Sequence, residues 1–497
     1  MSSTSTYRQI IKTTSLFGGV EIVRILSGLV QTKIVALLLG PAGVGVQNLY
    51  TTVLNMLSSF WGFGLQTSSV REIAQANATG DSVEISKTIV TLRRWVLSTA
   101  LLGAFFLIIF SRQLSKWTFG DDSYAFGLVL VSLALIFSLI SNGQIALIKG
   151  LRRLKDLAKA SMLGSLISLI ISIPLFYLYG EKAIVPVIVI TALLVLLCSY
   201  YYASKIIVEP CSLSFKESFI RGKTMFKMGF FLMLSSFLMN LSSFLINSFI
   251  SNYGSIDDVG YYRAGFLITS HYVGLIFTAM GADFLPRLSE VNKYPGQMRE
   301  IVLQQTEIAS LIIAPMVTFL FPLNKLMIFL LYSDDFYIIE DFICWAALGL
   351  VARAGVWCLS YLMLANGLSK EFFYSELFAN VTNVILCVVC YHFWGIAGLG
   401  IAFLINNLLS LLFNYLITRI YCNFWYGKQY ILKMTVLNIT VCLSLCLYAM
   451  IHSSILSIVV ALLFTLYCVN EIRKKTGLKL ASLLKMKKNK PNTSSNM

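Results

Sequence analysis

Residues 183–204 read AIVPVIVITALLVLLCSYYYAS, a run without a single charge, flanked by Lys182 and Lys205. At about 1.5 Å per helical residue such a run spans about 33 Å, the thickness of a bilayer's hydrocarbon core, which takes about 20 apolar residues to cross. The pattern recurs along the chain. Apolar spans are read at 14–38, 44–70, 95–111, 124–148, 161–179, 183–204 and 228–252, and again at 262–285, 306–331, 342–365, 374–393, 396–418, 434–451 and 454–470. Over all 497 residues, 57% are hydrophobic and 12% charged, whereas soluble domains run at about 45–50% apolar and about 25% charged. A soluble multidomain enzyme, a disordered chain and a disulfide-stapled domain are excluded. The fold class is an all-α polytopic membrane protein of about 14 transmembrane helices.

The net charge of +16 would suggest nucleic acid on a soluble chain. Here the distribution matters more. Of the 39 Lys and Arg, only Arg112, Lys116, Lys182 and Lys325 fall in one alternate set of loops, and Arg24, Lys33, Arg263 and Arg353 fall within spans; the rest lie on the other side. The positive-inside rule then puts both termini in the cytoplasm, requires an even number of spans, and leaves no call for a nucleic-acid partner. The basic tail, Arg473 to Lys490, suits anionic lipid. Span 14–38 is too long for a cleaved signal peptide and carries Glu21, Arg24 and Lys33, so it is expected to remain as the first membrane helix. Cys387 and Cys390 have C-x-x-C spacing without a second pair, inside an apolar run, and read as buried small residues.

Landmarks repeat between two parts of the chain. Gly45 and Gly260 follow the first connection of each part, Gly150 and Gly367 follow a later one, and Gly180 and Gly395 close the next span; the pairs are 215, 217 and 215 residues apart. This predicts an N-terminal lobe at 1–204 (spans 1–6), a cytoplasmic linker at 205–227 and a C-terminal lobe at 228–418 (spans 7–12). Accessory spans 13 and 14 follow at 419–470, then a basic cytoplasmic tail at 471–497. An even number of spans between repeats gives both lobes one orientation, related by a pseudo-two-fold along the membrane normal, with a cavity that opens to either side. Pro174, Pro186, Pro315 and Pro322 supply bends within spans.

Catalytic chemistry is missing. Gly222-Lys223-Thr224 ends like a phosphate-binding loop, but Glu217 stands where the leading glycine belongs. His271, His392 and His452 are too scattered for a metal site, and no cofactor is expected. Loops of about 25 residues or fewer leave no platform for a membrane glycosyltransferase, polymerase or ligase. The chain reads as a transporter, not an enzyme.

The informative residues are charges placed in lipid. An Arg at the bilayer centre costs about 2.5–3.5 kcal/mol, so it normally faces a bundle interior or a water-filled cavity. Arg24 has Glu21 one turn away as a possible partner. Arg353, at the centre of span ten, has no acid within four residues, and Trp357 offers only a cation–π face. Lys33 lies about 180° around the helix from Arg24, and both Lys33 and Arg263 sit where a long side chain reaches an interface. Asp283 and Arg287, four apart, are placed to pair, and Glu376 begins span eleven. Arg24, Lys33, Arg263 and Arg353 are the candidate substrate-binding cations; Glu21, Asp283 and Glu376 are the candidate coupling or pairing acids. A cationic cavity suits phosphate, pyrophosphate or carboxylate cargo.

Beyond these properties, the stretch KIVALLLGPAGVG at 33–45 resembles the first-to-second-helix signature of Wzx-type O-antigen translocases. DVGYY at 258–262, LPRLS at 285–289, YLMLA at 361–365 and YSEL at 374–377 are similar to segments at comparable places in that family. The resemblance runs to about residue 420 and includes the enterobacterial-common-antigen type. That family belongs to the MOP superfamily, with the lipid II flippases and the multidrug and toxic compound extrusion (MATE) proteins. The resemblance implies a lipid-linked oligosaccharide flippase of the bacterial cytoplasmic (inner) membrane. Its cargo would be undecaprenyl-pyrophosphate-linked repeat units for lipopolysaccharide or a similar surface polysaccharide, moved from the cytoplasmic to the outer leaflet. It implies basic residues at Arg24, Lys33 and Arg353 and an acid at Glu376, with membrane lipids and polysaccharide assembly proteins as candidate partners. Spans 13 and 14 depart from the twelve-span pattern. The alternatives are an ion-coupled MATE-like drug exporter, against which the basic in-span excess argues, and a membrane glycan polymerase or ligase.

Overall fold

The computed structural model describes residues 3–206, 209, 213–292, 294–451 and 454–476. Among these the chain is all-helical. In order the helices are α1 (Ser3–Trp61), α2 (Leu65–Thr79), α3 (Ser82–Ile109), α4 (Ser111–Phe119) and α5 (Ala125–Gly150). Next come α6 (Leu154–Tyr179), α7 (Ile184–Ser204), α8 (Phe215–Tyr253), α9 (Ile256–Phe266) and α10 (Tyr272–Glu290). The last are α11 (Pro295–Leu331), α12 (Glu340–Ala365), α13 (Ser369–Cys422), α14 (Lys428–Ile451) and α15 (Ser454–Thr476). Polar ends carry their own stops: Asp81 accepts from the backbone N–H of Val83 and Glu84 at the start of α3, and Ser214 with Glu217 forms a capping box on α8.

Ten helical stretches are long and apolar enough to cross a membrane. Two of them, Leu154–Ser204 with 51 residues and Ser369–Cys422 with 54, hold enough length for two crossings each. Each turns at a glycine with nearly the same backbone, Gly180 at φ 56°, ψ −134° and Gly395 at φ 56°, ψ −137°. That region is open to glycine and strained for other residues. The corner in α1 is Gly40, at φ 64°, followed by Pro41, whose missing N–H suits the start of the next helical segment. Two spans read from the sequence as unbroken are interrupted. Span 44–70 breaks between Trp61 and Leu65, and span 262–285 passes through a π-helical turn, Leu267–His271, between α9 and α10.

The chain forms two compact units: Met1–Gly265 with Ile328–Ile339 and Asn380–Gly398, and Phe266–Met327 with Glu340–Ala379 and Leu399–Met497. The first is centred on Ile73, Ile89, Leu92, Leu147, Ile148 and Ala203. Within it Gly45 of α1 and Gly260 of α9 pack reciprocally: a Cβ on Gly45 would strike the Ile256 carbonyl oxygen, and one on Gly260 the Pro41 carbonyl oxygen. The second unit is centred on Phe277, Val317, Phe321 and Leu350, to which α14 and α15 add Val441 and Phe464. α14 is also fastened by polar contacts. Lys433 meets Glu307 at 3.2 Å, and the Tyr448 hydroxyl donates to Glu340, which Lys325 also approaches at 3.7 Å.

Outward side chains such as Phe126, Ile170 and Leu466 are about two-thirds or more exposed, a surface suited to lipid. The described cysteines are free, with Cys387 and Cys390 both buried in α13. Gly222-Lys223-Thr224 lies inside helical α8, not in a loop. Among the described residues no His, Cys, Asp and Glu group could hold a metal ion.

Candidate functional site

Arg353 lies near the middle of the 26-residue α12, in a run of small residues. Ala346, Ala347, Ala352 and Ala354 are buried, and Gly349 and Gly355 bring α12 against α13: a Cβ at Gly349 would lie 3.0 Å from Leu404 Cα, and one at Gly355 2.7 Å from Leu411 Cδ1. Small residues let membrane helices approach this closely, so the one long side chain of the run is held in a narrow place. The half-buried guanidinium donates through Nη1 to Ser270 Oγ at 3.4 Å, and its Cζ lies 5.8 Å from the Phe403 ring centroid. Ser270 belongs to the π-helical turn, a feature that recurs at functional sites. The aromatic neighbour is thus Phe403; Trp357 stacks instead on Phe277 and Phe284, with centroids 5.2 and 5.3 Å away. The Glu376 carboxylate of α13 attracts the guanidinium electrostatically. Arg353 has no acid within four residues on its own helix, and its electrostatic partner lies on α13.

The remaining candidates are dispersed. Lys33 Nζ donates to the carbonyl oxygens of Phe329 and Tyr332, at and just beyond the end of α11, and sits 5.2 Å from the Phe329 ring. Carbonyls in a last helical turn have no partner within the helix, and a cation there also meets the negative end of the helix dipole. Arg263 is exposed on the last turn of α9, with no carboxylate in ion-pair reach among the described residues. Asp283 and Arg287 pair at 3.4 Å on an exposed face of α10. The side chains of Glu21 and Arg24 lie outside the described residues.

The first unit also contains a neutral polar cavity of about 280 Å³. Gly62 and Gly64 line it where α1 stops, and Gly64 and the intervening Phe63 are both at positive φ (64° and 46°). From the Gly40 corner to Trp61 the helix runs about 32 Å, a full hydrocarbon thickness. Amides from Asn55, Gln66, Asn142 and Asn240 and hydroxyls including Ser58 and Thr67 face this space, and no charged side chain lines it.

Residues 34–341, well over half of the chain, match a family described as polysaccharide biosynthesis protein. The chain belongs to this family. Two curated relatives, the lipid III flippases of Escherichia coli (strain K12) and Shigella flexneri, are each 25% identical to it over 383 residues, 76% of this chain and 89% of the relative. In structure it is similar to the lipid II flippase MurJ in an inward closed conformation, with TM-score 0.72 and 13% identity over 93% of this chain and 99% of that one. It is also similar to an inward-facing multidrug resistance MATE transporter of the MOP superfamily, with TM-score 0.67 and 15% identity over 80% and 94% of the two chains. The fold is that of the MOP superfamily, and these relatives are flippases and transporters rather than enzymes.

In this polysaccharide biosynthesis protein, Arg353 and Glu376 lie beyond the segment that matches the family. What sequence reasoning passed over is the neutral cavity. Its signal was present: Asn55, Ser58, Ser59 and Gln66 fall among many polar residues in span 44–70, which reads only as a membrane crossing.

Proposed function

We infer that the chain is a flippase that moves a polyprenyl-pyrophosphate-linked oligosaccharide, an O-antigen-like repeat unit, from the cytoplasmic to the outer leaflet of a bacterial inner membrane. The polyprenyl tail stays in lipid, and the in-span cations Arg24, Lys33, Arg263 and Arg353 bind the pyrophosphate or acidic sugars along the translocation path. Both termini are cytoplasmic, and transport proceeds by alternating access. The observation that carries this reading is Arg353: a guanidinium at mid-helix, beside a π-helical turn, in a member of a polysaccharide biosynthesis family. A half-buried planar fork suits a phosphate oxygen pair, and the Glu376 carboxylate balances its charge.

The likeness to a MATE transporter concerns fold alone, and a cationic path disfavours cationic drugs. The test is reconstitution of the purified chain with an undecaprenyl-pyrophosphate-linked glycan in vesicles, varying membrane potential and pH gradient without nucleotide. Flipping without ATP supports the reading. Flipping that requires ATP, or export of cationic dyes without flipping, overturns it.

A further inference from the structure

We propose that the neutral cavity of the first unit is a carbohydrate subsite, holding one or two uncharged sugar units of the cargo while the pyrophosphate is bound by cations elsewhere. The proposal rests on the flippase reading. Three observations carry it.

The first is the lining. Amides donate and accept at once, and hydroxyls do the same, which is the hydrogen-bonding character of a sugar's own hydroxyl and acetamido groups. Asn55, Asn142, Gln66 and Asn240 supply four amides, and Val96 and Leu139 add apolar wall for a ring's C–H surface. A wall without charge offers nothing to a phosphate beyond what water offers.

The second is unmet hydrogen-bonding capacity. The side chains of Asn55, Gln66 and Asn142 have no hydrogen-bond partner among the described residues, and Asn55 is exposed to the cavity from within an apolar span. Polar groups at membrane depth are costly without partners, so groups kept there are kept for water or a ligand.

The third is the backbone. α1 breaks at Gly62-Phe63-Gly64 against this space, and Phe63 holds a left-handed conformation without being glycine. Interrupted helices form substrate sites in transporters. Local strain of this kind collects at binding sites.

Size limits the occupant. Small-molecule sites usually enclose about 300–1,000 Å³; a cavity of about 280 Å³ takes one or two rings and not a whole repeat unit. The subsite therefore selects a sugar's identity and not the glycan's length.

The experiment uses the full chain in detergent and two probes, undecaprenyl pyrophosphate carrying one N-acetylhexosamine and bare undecaprenyl pyrophosphate, with affinities from calorimetric titration. Wild type should bind the sugar-bearing lipid about thirtyfold more tightly, the worth of two neutral hydrogen bonds at about 1 kcal/mol each. The double variant Asn55→Ala, Asn142→Ala should erase that preference and leave affinity for the bare lipid within twofold. Asn55→Asp, which keeps the side chain's shape, should lose most of the preference without loss of folding. Arg353→Ala should instead weaken both lipids alike. Equal wild-type affinity for the two lipids, or equal weakening of both by the Asn variants, would overturn the subsite and leave the flippase reading standing. Failure of wild type to bind either lipid would overturn the flippase reading itself.

Discussion

Arg353→Ala separates the two roles a buried guanidinium can play. In the folded protein this half-buried side chain faces the Glu376 carboxylate, Ser270 Oγ at 3.4 Å and the Phe403 ring. Removing one partner of a buried ion pair costs about 3–5 kcal/mol, because the other charge is left desolvated and unpaired. Arg353 and Glu376 are each only half-buried, so the expected cost lies at the lower end, about 3 kcal/mol. The double variant Arg353→Ala, Glu376→Gln leaves no orphaned charge and should recover most of that loss. Function should not follow stability. If the guanidinium binds the pyrophosphate, export stays abolished in the double variant although the protein is stable. Arg353→Lys, which keeps the charge and loses the planar fork, should export partially, and Arg353→Glu should be worst. The assay pairs thermal unfolding and membrane abundance with surface glycan. A double variant that regains both stability and export would show that Arg353 served only to neutralise Glu376, and the phosphate-binding role would fall.

Other outcomes are expected elsewhere. Gly260→Ala and Gly45→Ala should each destabilise by about 1–3 kcal/mol through overpacking. Because both press on one contact, the double variant should cost less than their sum; strict additivity in melting experiments would contradict the reciprocal packing. Lys33→Met removes the cation from the end of α11 and should cost about 0.3–1 kcal/mol in stability. An export loss more than tenfold would mark a substrate role beyond the helix end, and a loss no larger than the instability would assign Lys33 to that end alone. Lys433→Met takes a cation from Glu307, whose side chain is 13% exposed, and should cost about 1.5–3 kcal/mol. It should also speed proteolysis of α14, and unchanged protease resistance would refute its polar fastening. Reporter fusions after Lys116 and Asp341 should read as periplasmic and one after Lys155 as cytoplasmic; an external reading at Lys155 would refute the charge-derived orientation.

The spans were legible because a run of about 20 apolar residues has few other meanings. Their interruptions were not. Apolarity carries no record of φ, and in Gly62-Phe63-Gly64 the left-handed backbone includes Phe63, the residue a reader would least suspect. Arg353 was legible for a local reason: the cost of a charge in lipid is set by its own span. The pairing was not: Glu376 reads as a candidate pairing acid, but nothing local ties it to Arg353 because it sits on the next long helix. Lys33 illustrates the same limit at greater distance, because its acceptors are backbone carbonyls of Phe329 and Tyr332, almost 300 positions away. Carbonyls leave no mark in a sequence.

The internal repeat shows what backbone adds to a pattern of glycines. In the sequence, Gly150 and Gly367 are 217 apart, out of step with the other two pairs at 215. The structure replaces Gly150 with Arg152, which takes positive φ (54°) as Gly367 does (73°). The next residues also agree, Arg153 at φ −78°, ψ 61° and Leu368 at φ −81°, ψ 59°. The hydrogen bonds match throughout: the N–H groups of residues 151, 152 and 153 donate to the carbonyls of 147, 149 and 148, and those of 366, 367 and 368 to 362, 364 and 363. With Gly180 and Gly395, every one of these correspondences is 215 residues. The same interval relates Pro41 to Ile256 and Gly45 to Gly260, the four residues of the reciprocal contact between α1 and α9. A local two-fold axis therefore passes between those glycines, and any side chain added on one face would press on the backbone of the other. Such a contact brings backbone close to backbone from both sides, with the Ile256 side chain packed beside Gly45.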